Sequence, residues 1–152
     1  MDNLTSIQRS KNMLVIRSTN TKAEIRLAKA LWHLGYRYRK NNRIVFGKPD
    51  LTFKKLKIAI FVDSEFFHGK DWEIQKDRIK SNVEYWHKKI ARNIQRDIEV
   101  NNYLESHNWK VIRFWSREIE KKLEDCICII QQEIVLAQNK NNHKNGKIQL
   151  LH

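Results

Sequence analysis

The sequence contains little cysteine and glycine, and it has no long apolar run. Two cysteines among 152 residues exclude a disulfide framework and a structural zinc site built from cysteines. Four glycines do not provide the glycine-rich loop with which many proteins bind nucleotide phosphates. No apolar run approaches the roughly 18 residues of a membrane-spanning helix, and the polar N-terminus does not resemble a signal peptide. We therefore expect an intracellular protein without membrane contact.

Acidic residues are scarce relative to basic ones. The chain has 30 Lys and Arg but 17 Asp and Glu, which gives a net charge of +13. Hydrophobic residues make up 41% of the chain and aromatic residues 10%, enough for one folded domain with a core. A strongly basic single domain is typical of proteins with an anionic partner, of which nucleic acid is the first candidate.

The pattern of apolar residues predicts an α/β fold, with a mixed β-sheet flanked by helices. A capping box at 21–24 opens a first helix that ends at Gly35. Strands are predicted at 36–39, 44–46, 50–53, 57–63 and 109–115, a long amphipathic helix at 82–107 and a last helix at 118–137. We divide the chain into an N-terminal arm (1–18), one domain (19–137) and a flexible basic tail (138–152).

Two acidic residues stand at predicted strand ends. Asp50 follows Pro49, and Asp63 ends the most apolar strand. A tight turn between the two strands would bring both carboxylates to one edge of the sheet. Mg²⁺ prefers such oxygen ligands, and phosphodiester cleavage uses the metal to offset charge and activate water. Glu24 could supply a third oxygen, and His68 could transfer a proton.

Each of these residues also has a purely structural explanation. Glu24 completes the capping box, Asp50 suits a turn, Asp63 can cap a loop, and a single histidine is more often structural than catalytic. The aromatic residues are equally ambiguous. Phe66, Phe67 and Trp86 could be core residues, but two adjacent rings on extended chain face opposite ways, and exposed apolar wedges on a basic protein suggest insertion between DNA bases.

Several short motifs occur together in one order. They include Gly47-Lys48-Pro49-Asp50, Ile60-Phe61-Val62-Asp63 and Phe66-Phe67-His68-Gly69, with further matches at 9–13, 21–24, 82–86, 89–97 and 109–112. Over residues 8–117 the chain resembles the very-short-patch (Vsr) mismatch repair endonucleases of bacteria. The resemblance implies a restriction-endonuclease-like fold of the PD-(D/E)xK type. It also implies a Mg²⁺-dependent enzyme that nicks one strand of duplex DNA at a T·G mismatch.

The resemblance assigns catalytic roles to individual residues. Asp50 would bind the metal together with the backbone carbonyl of Val62, and Asp63 would occupy the adjacent active-site position, next to metal-bound water or phosphate. Glu24 would hold a water on the metal. His68, supported by Asp97, would handle the proton of the attacking water. Met13, Phe66, Phe67 and Trp86 would wedge into the DNA, and Lys89 and Asn93 would contact it. Arg9 and Lys11 of the N-terminal arm are predicted to bind DNA as well. The resemblance also implies a monomer that binds mismatched double-stranded DNA in the bacterial cytoplasm, associated with the nucleoid.

The sequence departs from the family pattern where the family holds a structural zinc. The matching positions are Glu65, Lys70, Trp72 and Arg117, so we expect no zinc. We expect an ion pair between Glu65 and Arg117 or Lys70 to tether the loop instead. Glu65 as a further metal ligand is the alternative. The family's second wedge residue is tryptophan, whereas this chain has Phe67.

Three other functions remain open at this point. A restriction-like or nicking endonuclease of different specificity would use the same chemistry on fully paired DNA. A DNA-binding protein without catalysis would keep the charge and the aromatic residues, and its acidic residues would be incidental. A nuclease for branched DNA or RNA is also compatible with the sequence.

Overall fold

A four-stranded mixed sheet forms the centre of the molecule. The structure is a computed structural model that describes the backbone of residues 21–150 and the side chains of residues 21–144. Arg9, Lys11 and Met13 lie outside the described residues. The sheet has the order β1-β2-β3-β4, with β1 Arg39–Lys40, β2 Leu51–Phe53, β3 Ile58–Asp63 and β4 Lys110–Trp115. The first three strands are antiparallel, and β4 runs parallel to β3.

The helices lie on both faces of this sheet. They are α1 Lys22–His33, α2 Trp72–Gln75, the long helix α3 Val83–Ser106, α4 Ser116–Lys121 and α5 Leu123–Leu150. A turn of 3₁₀ helix, Lys76–Arg78, follows α2. β3 and β4 are parallel, so a crossover connection has to join them. The long helix α3 is part of this connection. The predicted α/β fold with a mixed sheet flanked by helices is confirmed. Within the described range, no helix has the length and apolarity that a membrane crossing requires.

Side chains alternate between the two faces of β3, and this alternation positions the polar residues. Ile58 and Ile60 pack in the larger core with α1, α4 and α5. Ala59 and Phe61 face α3, where they pack with Val100 and Leu104. Since successive residues of a strand point to opposite faces, Asp63 lies on the α3 face as well.

The first helix begins as the sequence predicts. The Thr21 Oγ1 accepts a hydrogen bond from the backbone N–H of Glu24 at 3.3 Å, which satisfies one free donor of the first turn. Leu27 and Leu31 of α1 are fully buried. The helix therefore covers the sheet with one apolar face.

Several predicted boundaries differ from the structure. Residues 44–46 form turns rather than a strand, and β1 is confined to Arg39–Lys40. The predicted last helix is broken at Lys122, and its second part continues past residue 137 to Leu150. On α3, Ile98 is exposed although its spacing predicts burial. Apolar spacing identifies a helix face but does not determine how much of that face meets a neighbouring layer.

Two loops rest directly on α3 through glycine. Gly47 has φ +84°, and a Cβ there would lie 2.4 Å from the Val100 Cγ1. Gly69 has φ +67°, and a Cβ there would lie 2.5 Å from the Ile94 Cδ1. Both glycines belong to motifs that also carry candidate site residues, Asp50 and His68. The long helix thus sets the position of both motifs.

We expect Gly47→Ala to destabilise the protein more than Gly35→Ala. Both glycines have positive φ, but open space surrounds Gly35, so alanine there carries only the backbone cost of about 1 kcal/mol. At Gly47 the new methyl group also overlaps Val100, whose β-branched side chain is stiff in a helix, and overpacking adds about 1–3 kcal/mol. Urea unfolding of both variants measures the difference. Equal losses would contradict the close approach to Val100.

Candidate active site

Four acidic residues from separate elements meet at one edge of the sheet. Asp50 immediately precedes β2, and Asp63 ends β3. The two strands are antiparallel, with Leu51 opposite Ile60. The backbone N–H of Val62 donates to the Asp50 Oδ2 at 2.6 Å. The prediction that Asp50 and Asp63 share one edge is therefore confirmed. Glu24 of α1 and Asp97 of α3 are the other two acids.

Asp50 lies in an environment that disfavours its charge. Burial raises the pKa of Asp50 to about 7; the charges of Glu24 and Asp63 add to the rise, and the Val62 N–H and His68 oppose it. Glu24 itself is 2% exposed. Neighbouring carboxylates that are poorly hydrated and repel one another form a site in which a bound cation would be stabilised.

His68 forms a short hydrogen bond to Asp97. Its Nδ1 lies 2.6 Å from the Asp97 Oδ2 and 3.7 Å from the Asp63 Oδ1. Burial lowers the pKa of His68, but the hydrogen bond to Asp97 and the charges of Asp63 and Asp97 outweigh it, so the pKa is raised overall. Because an ionised carboxylate can only accept, Nδ1 carries the proton. The Nε2 of neutral His68 is then a proton acceptor.

Arg113 supplies a cation that the sequence analysis missed. Its Nη1 lies 3.1 Å from both carboxylate oxygens of Asp63 and 3.5 Å from the Asp97 Oδ1. Its Nε donates to the Asn101 Oδ1 at 2.7 Å, and its guanidinium carbon lies 4.0 Å from the centroid of the Phe61 ring. A basic residue with apolar neighbours on both sides, Ile112 and Phe114, was the available signal, since such a residue is rarely buried without partners.

Asp63 is held by this cation. Burial raises the pKa of Asp63, as does the charge of Asp97, whereas His68 and Arg113 lower it, and the pKa is raised overall. A cavity of ≈ 230 Å³ opens beside these groups. Its polar lining includes Asp63, His68, Asp97 and Arg113. The cavity therefore provides space for a polar molecule next to the imidazole.

Three of the predicted DNA wedge residues form an aromatic cluster with Tyr85 next to His68. We define it as Phe66, Phe67, Tyr85 and Trp86. The Phe66 ring centroid lies 5.3 Å from that of Phe67 and 5.2 Å from that of Trp86, and the Tyr85 centroid lies 5.1 Å from that of Trp86. Phe66 is 44% exposed and Tyr85 is 56% exposed. Exposed rings at this density are unusual unless they meet a partner.

Two other predicted DNA contacts border the aromatic cluster. The Lys89 Nζ lies 5.6 Å from the Tyr85 ring centroid and 5.7 Å from that of Trp86. The Asn93 Nδ2 donates to the backbone carbonyl of Phe67 at 2.9 Å. Asn93 thus holds the loop that carries two of the rings, which is a structural role in addition to the predicted one.

Glu65 tethers its loop differently from the expectation. Among the described side chains, Glu65 forms no ion pair with Arg117 or Lys70. Its Oε1 instead accepts a hydrogen bond from the backbone N–H of Arg117 at 2.8 Å. A carboxylate near the first turn of a helix satisfies a free N–H group, so this contact replaces the ion pair. The predicted ion pair is wrong, although Glu65 does bind Arg117, through the backbone of that residue rather than its side chain.

One group of side chains in the described part of the chain has metal-ligating geometry. Asp63, His68 and Asp97 place one ligand atom each within 4.8 Å of one another. Arg113 already provides positive charge to two of these residues. Asp50, whose Oδ2 accepts from Val62, has Oδ1 with which to bind a cation. The donor chemistry at Asp50 therefore suits a hard divalent metal such as Mg²⁺.

Comparison with known proteins reveals clear similarity. A family model described as DNA mismatch endonuclease Vsr matches residues 1–74. The type II nicking enzyme V.NmeDIP of Neisseria meningitidis serogroup C is 52% identical over 134 residues, covering 88% of this chain and 90% of that protein. V.HpaIIP, a type II nicking enzyme of Haemophilus parainfluenzae, is 52% identical over 135 residues, covering 88% and 96%. The DNA mismatch endonuclease Vsr of Escherichia coli K12 is 30% identical over 131 residues, covering 79% and 83%.

We expect Asp50→Asn to stabilise the metal-free protein at high pH. The folded-state pKa of Asp50 is about 7, above the roughly 3.9 of an unfolded chain. The ionised form of Asp50 therefore destabilises the folded protein, and this loss of stability grows as the pH rises from about 4 to 7. Asn should raise the free energy of unfolding by on the order of 2–4 kcal/mol at pH 8 and little at pH 4.

Urea unfolding in the presence of a chelator tests this at both pH values. Asp125→Asn, which removes an exposed carboxylate from α5, is the matched control for the loss of one acidic group. If Asp50→Asn behaves like Asp125→Asn, Asp50 does not carry the raised pKa.

Proposed function

The chain belongs to the Vsr family, whose members are DNA endonucleases with a restriction-endonuclease-like fold, and we propose that it nicks one strand of duplex DNA at a T·G mismatch with Mg²⁺. The observation that carries this proposal is the convergence of Asp50, Asp63 and the His68–Asp97 pair at one sheet edge. The exposed aromatic cluster lies next to that edge.

His68 acts as the general base in this proposal. With Nδ1–H donating to Asp97, the neutral imidazole presents Nε2 to a water molecule. A general base works best with a pKa near the working pH, and the hydrogen bond to Asp97 raises the pKa of His68 above its ordinary value. The attacking water loses one proton to Nε2 as its oxygen bonds to the phosphorus, while the bond from phosphorus to the leaving strand oxygen breaks and that oxygen takes up a proton from solvent.

Asp50 and the backbone carbonyl of Val62 would hold the metal, and Glu24 would hold a water bound to it. Glu24 is buried and its charge raises the pKa of Asp50, so the two carboxylates share one poorly hydrated region. The bound Mg²⁺ would offset negative charge on the scissile phosphate and lower the pKa of water. Asp63 then serves chiefly as the partner of Arg113 and a neighbour of His68.

The aromatic cluster supports the choice of mismatched DNA. Inserting a ring between base steps requires unstacking, which costs least where pairing is already weak. Phe66 and Tyr85 are exposed, so their rings are accessible to a DNA duplex. The names of the 52%-identical relatives specify nicking, which supports cleavage of one strand. We further propose that the protein acts as a monomer, on DNA of the bacterial nucleoid.

A cleavage assay that compares two duplexes differing at a single base pair tests the proposed function. We expect the wild type to nick a T·G duplex in Mg²⁺ at least tenfold faster than the same duplex with a T·A pair, and to stop in a chelator. Asp50→Asn should lower the rate by at least about a hundredfold, since the metal ligand and its charge are lost. Asp125→Asn is the control and should retain full activity.

The assay also identifies the rival functions. Equal nicking of both duplexes would assign a nicking enzyme of other specificity. Binding without any cleavage in Mg²⁺ would assign a DNA-binding protein. Either result overturns the proposal.

Arg113 is expected to position the catalytic groups rather than touch the DNA. Arg113→Gln leaves Asp63 and Asp97 facing each other without their cation, so the orientation of His68 becomes less defined. We expect the single-turnover nicking rate to fall about 10–100-fold, as for other residues that orient catalytic groups, with the DNA Kd unchanged. Arg113→Lys should restore part of the rate because it restores the charge but not the planar fork.

The control is Lys110→Gln, which removes an exposed cation from the same strand. It should nick at the wild-type rate. If Arg113→Gln weakens DNA binding and leaves the bound rate intact, Arg113 contacts the DNA and the positioning role is wrong.

A further inference from the structure

The loop between β1 and β2 has no assigned function, although it lies beside Asp50. We define residues 41–48 as the rim loop. The backbone N–H of Asn41, at its start, donates to the carbonyl of Asp50 at 2.9 Å. At its other end, Lys48 is separated from Asp50 only by the buried Pro49. Both ends of the rim loop therefore adjoin a residue proposed to bind the metal.

The rim loop is held in one conformation by internal contacts. Asn42 is 4% exposed. Its side chain donates to the Thr52 Oγ1 at 3.3 Å and accepts from the backbone N–H of Ile44 at 3.1 Å. Gly47 rests against Val100, and the Phe46 ring centroid lies 4.4 Å from that of Tyr103. A loop fixed before binding loses little conformational entropy when it meets a partner.

This fixed loop presents an apolar tip between two cations. Ile44 is 80% exposed, more than any other large hydrophobic residue in the described part of the chain. Arg43 and Lys48 are exposed on either side of it. Residues 25–62 contain ten Lys and Arg but one acid, Asp50, so the local charge favours an anionic partner over another basic protein surface.

The rim loop and the aromatic cluster contact different parts of α3. Trp86 lies near the start of the helix, Asp97 in its middle, and Val100 and Tyr103 toward its end. At 1.5 Å per residue, Trp86 and Tyr103 are about 25 Å apart along the helix axis. That distance corresponds to roughly seven base pairs of DNA at 3.4 Å each. A single duplex could therefore contact both features while it passes His68.

We propose that the rim loop is a second DNA-binding element, in which Arg43 and Lys48 bind backbone phosphates and Ile44 packs into the groove beside them. This inference rests on the proposed function, because the partner is the same duplex that the enzyme would nick. It adds a contact on the opposite side of the active site from the aromatic cluster. Phosphate contacts give affinity and register without reading sequence, and an apolar side chain can pack against sugars and base edges.

The salt dependence of binding tests the phosphate contacts. The probe is a fluorescein-labelled T·G duplex, titrated by anisotropy without divalent metal at several salt concentrations. In the double variant Arg43→Gln, Lys48→Gln, the slope of the logarithm of the association constant against the logarithm of the salt concentration should fall in magnitude by about 1.8, or about 0.9 for each lost phosphate contact. The same relation predicts that the double variant binds the duplex on the order of 30-fold more weakly than the wild type at 0.15 M salt.

The matched control is Lys54→Gln with Lys55→Gln. These exposed lysines lie in the β2–β3 turn, at the opposite end of the strands from Asp50, and their removal takes away the same charge. The control should keep the wild-type slope. If both double variants lower the slope equally, the effect is net charge and the rim loop proposal is overturned.

Ile44→Ser tests the apolar contact separately. We expect a Kd about 3–10-fold higher with the salt slope unchanged, because no charge is lost. Ile129→Ser, an exposed isoleucine of α5 that is 45% accessible, should bind like the wild type. An Ile44→Ser variant with wild-type affinity would remove Ile44 from the proposed surface.

Failure of this inference can be separated from failure of the proposed function. Thermal unfolding first establishes that each variant folds; if the double variant does not, Arg43→Gln alone should lower the slope by about 0.9. If the wild type binds and nicks the duplex but the rim loop variants match their controls, only the rim loop proposal is overturned. A wild type that neither binds nor nicks overturns both.

Discussion

The interaction between Arg113 and the carboxylates of Asp63 and Asp97 is the contact on which the site depends. Two acids within reach of one imidazole repel each other when they are taken out of water. The guanidinium lies against both, and it is itself fixed by Asn101 and the Phe61 ring. Since β4 supplies Arg113 and α3 supplies Asp97 and Asn101, the same contact also joins the sheet to the long helix.

The long helix α3 organises everything around that contact. Gly69 seats the loop of His68 against Ile94, and Gly47 seats the rim loop against Val100. Asn93 holds the carbonyl of Phe67. Along one helix, therefore, the aromatic cluster, the His68 imidazole and the rim loop have fixed spacings. A ligand that spans several of these features meets them in a set order, which suits a linear polymer better than a small molecule.

Local sequence signals predicted the parts of the site that lie close together in the chain. The turn between β2 and β3 is short, so Asp50 and Asp63 could be placed at one edge from strand patterns alone. Asp97 could not be found in this way, because on an amphipathic helix it is one polar residue among many; only the family resemblance named it. Arg113 was missed because its partners are 50 and 16 residues away and nothing nearby in the chain indicates them.

The incorrect predictions have physical causes of the same kind. Ile44-Val45-Phe46 has strand propensity, but the side chain of Asn42 binds the backbone N–H of Ile44 and competes with a strand. Glu65 was expected to pair with a side chain, whereas the backbone N–H of Arg117 was a nearer partner. Propensity and charge do not show which donors the fold brings close. The roles of the site residues stay predictions, although the structure gathers the five that it was expected to gather.

The parallel pairing of β3 with β4 has a consequence for biosynthesis. The chain up to the end of α3 contains all four carboxylates and the imidazole, but Arg113, the partner of Asp63 and Asp97, comes only with β4. A nascent chain that has emerged only as far as residue 106 would hold Asp63 and Asp97 without this guanidinium and would lack the strand that completes the sheet. The candidate site can therefore assemble in full only after β4 has left the ribosome, and a translation product terminated before β4 would lack the complete site.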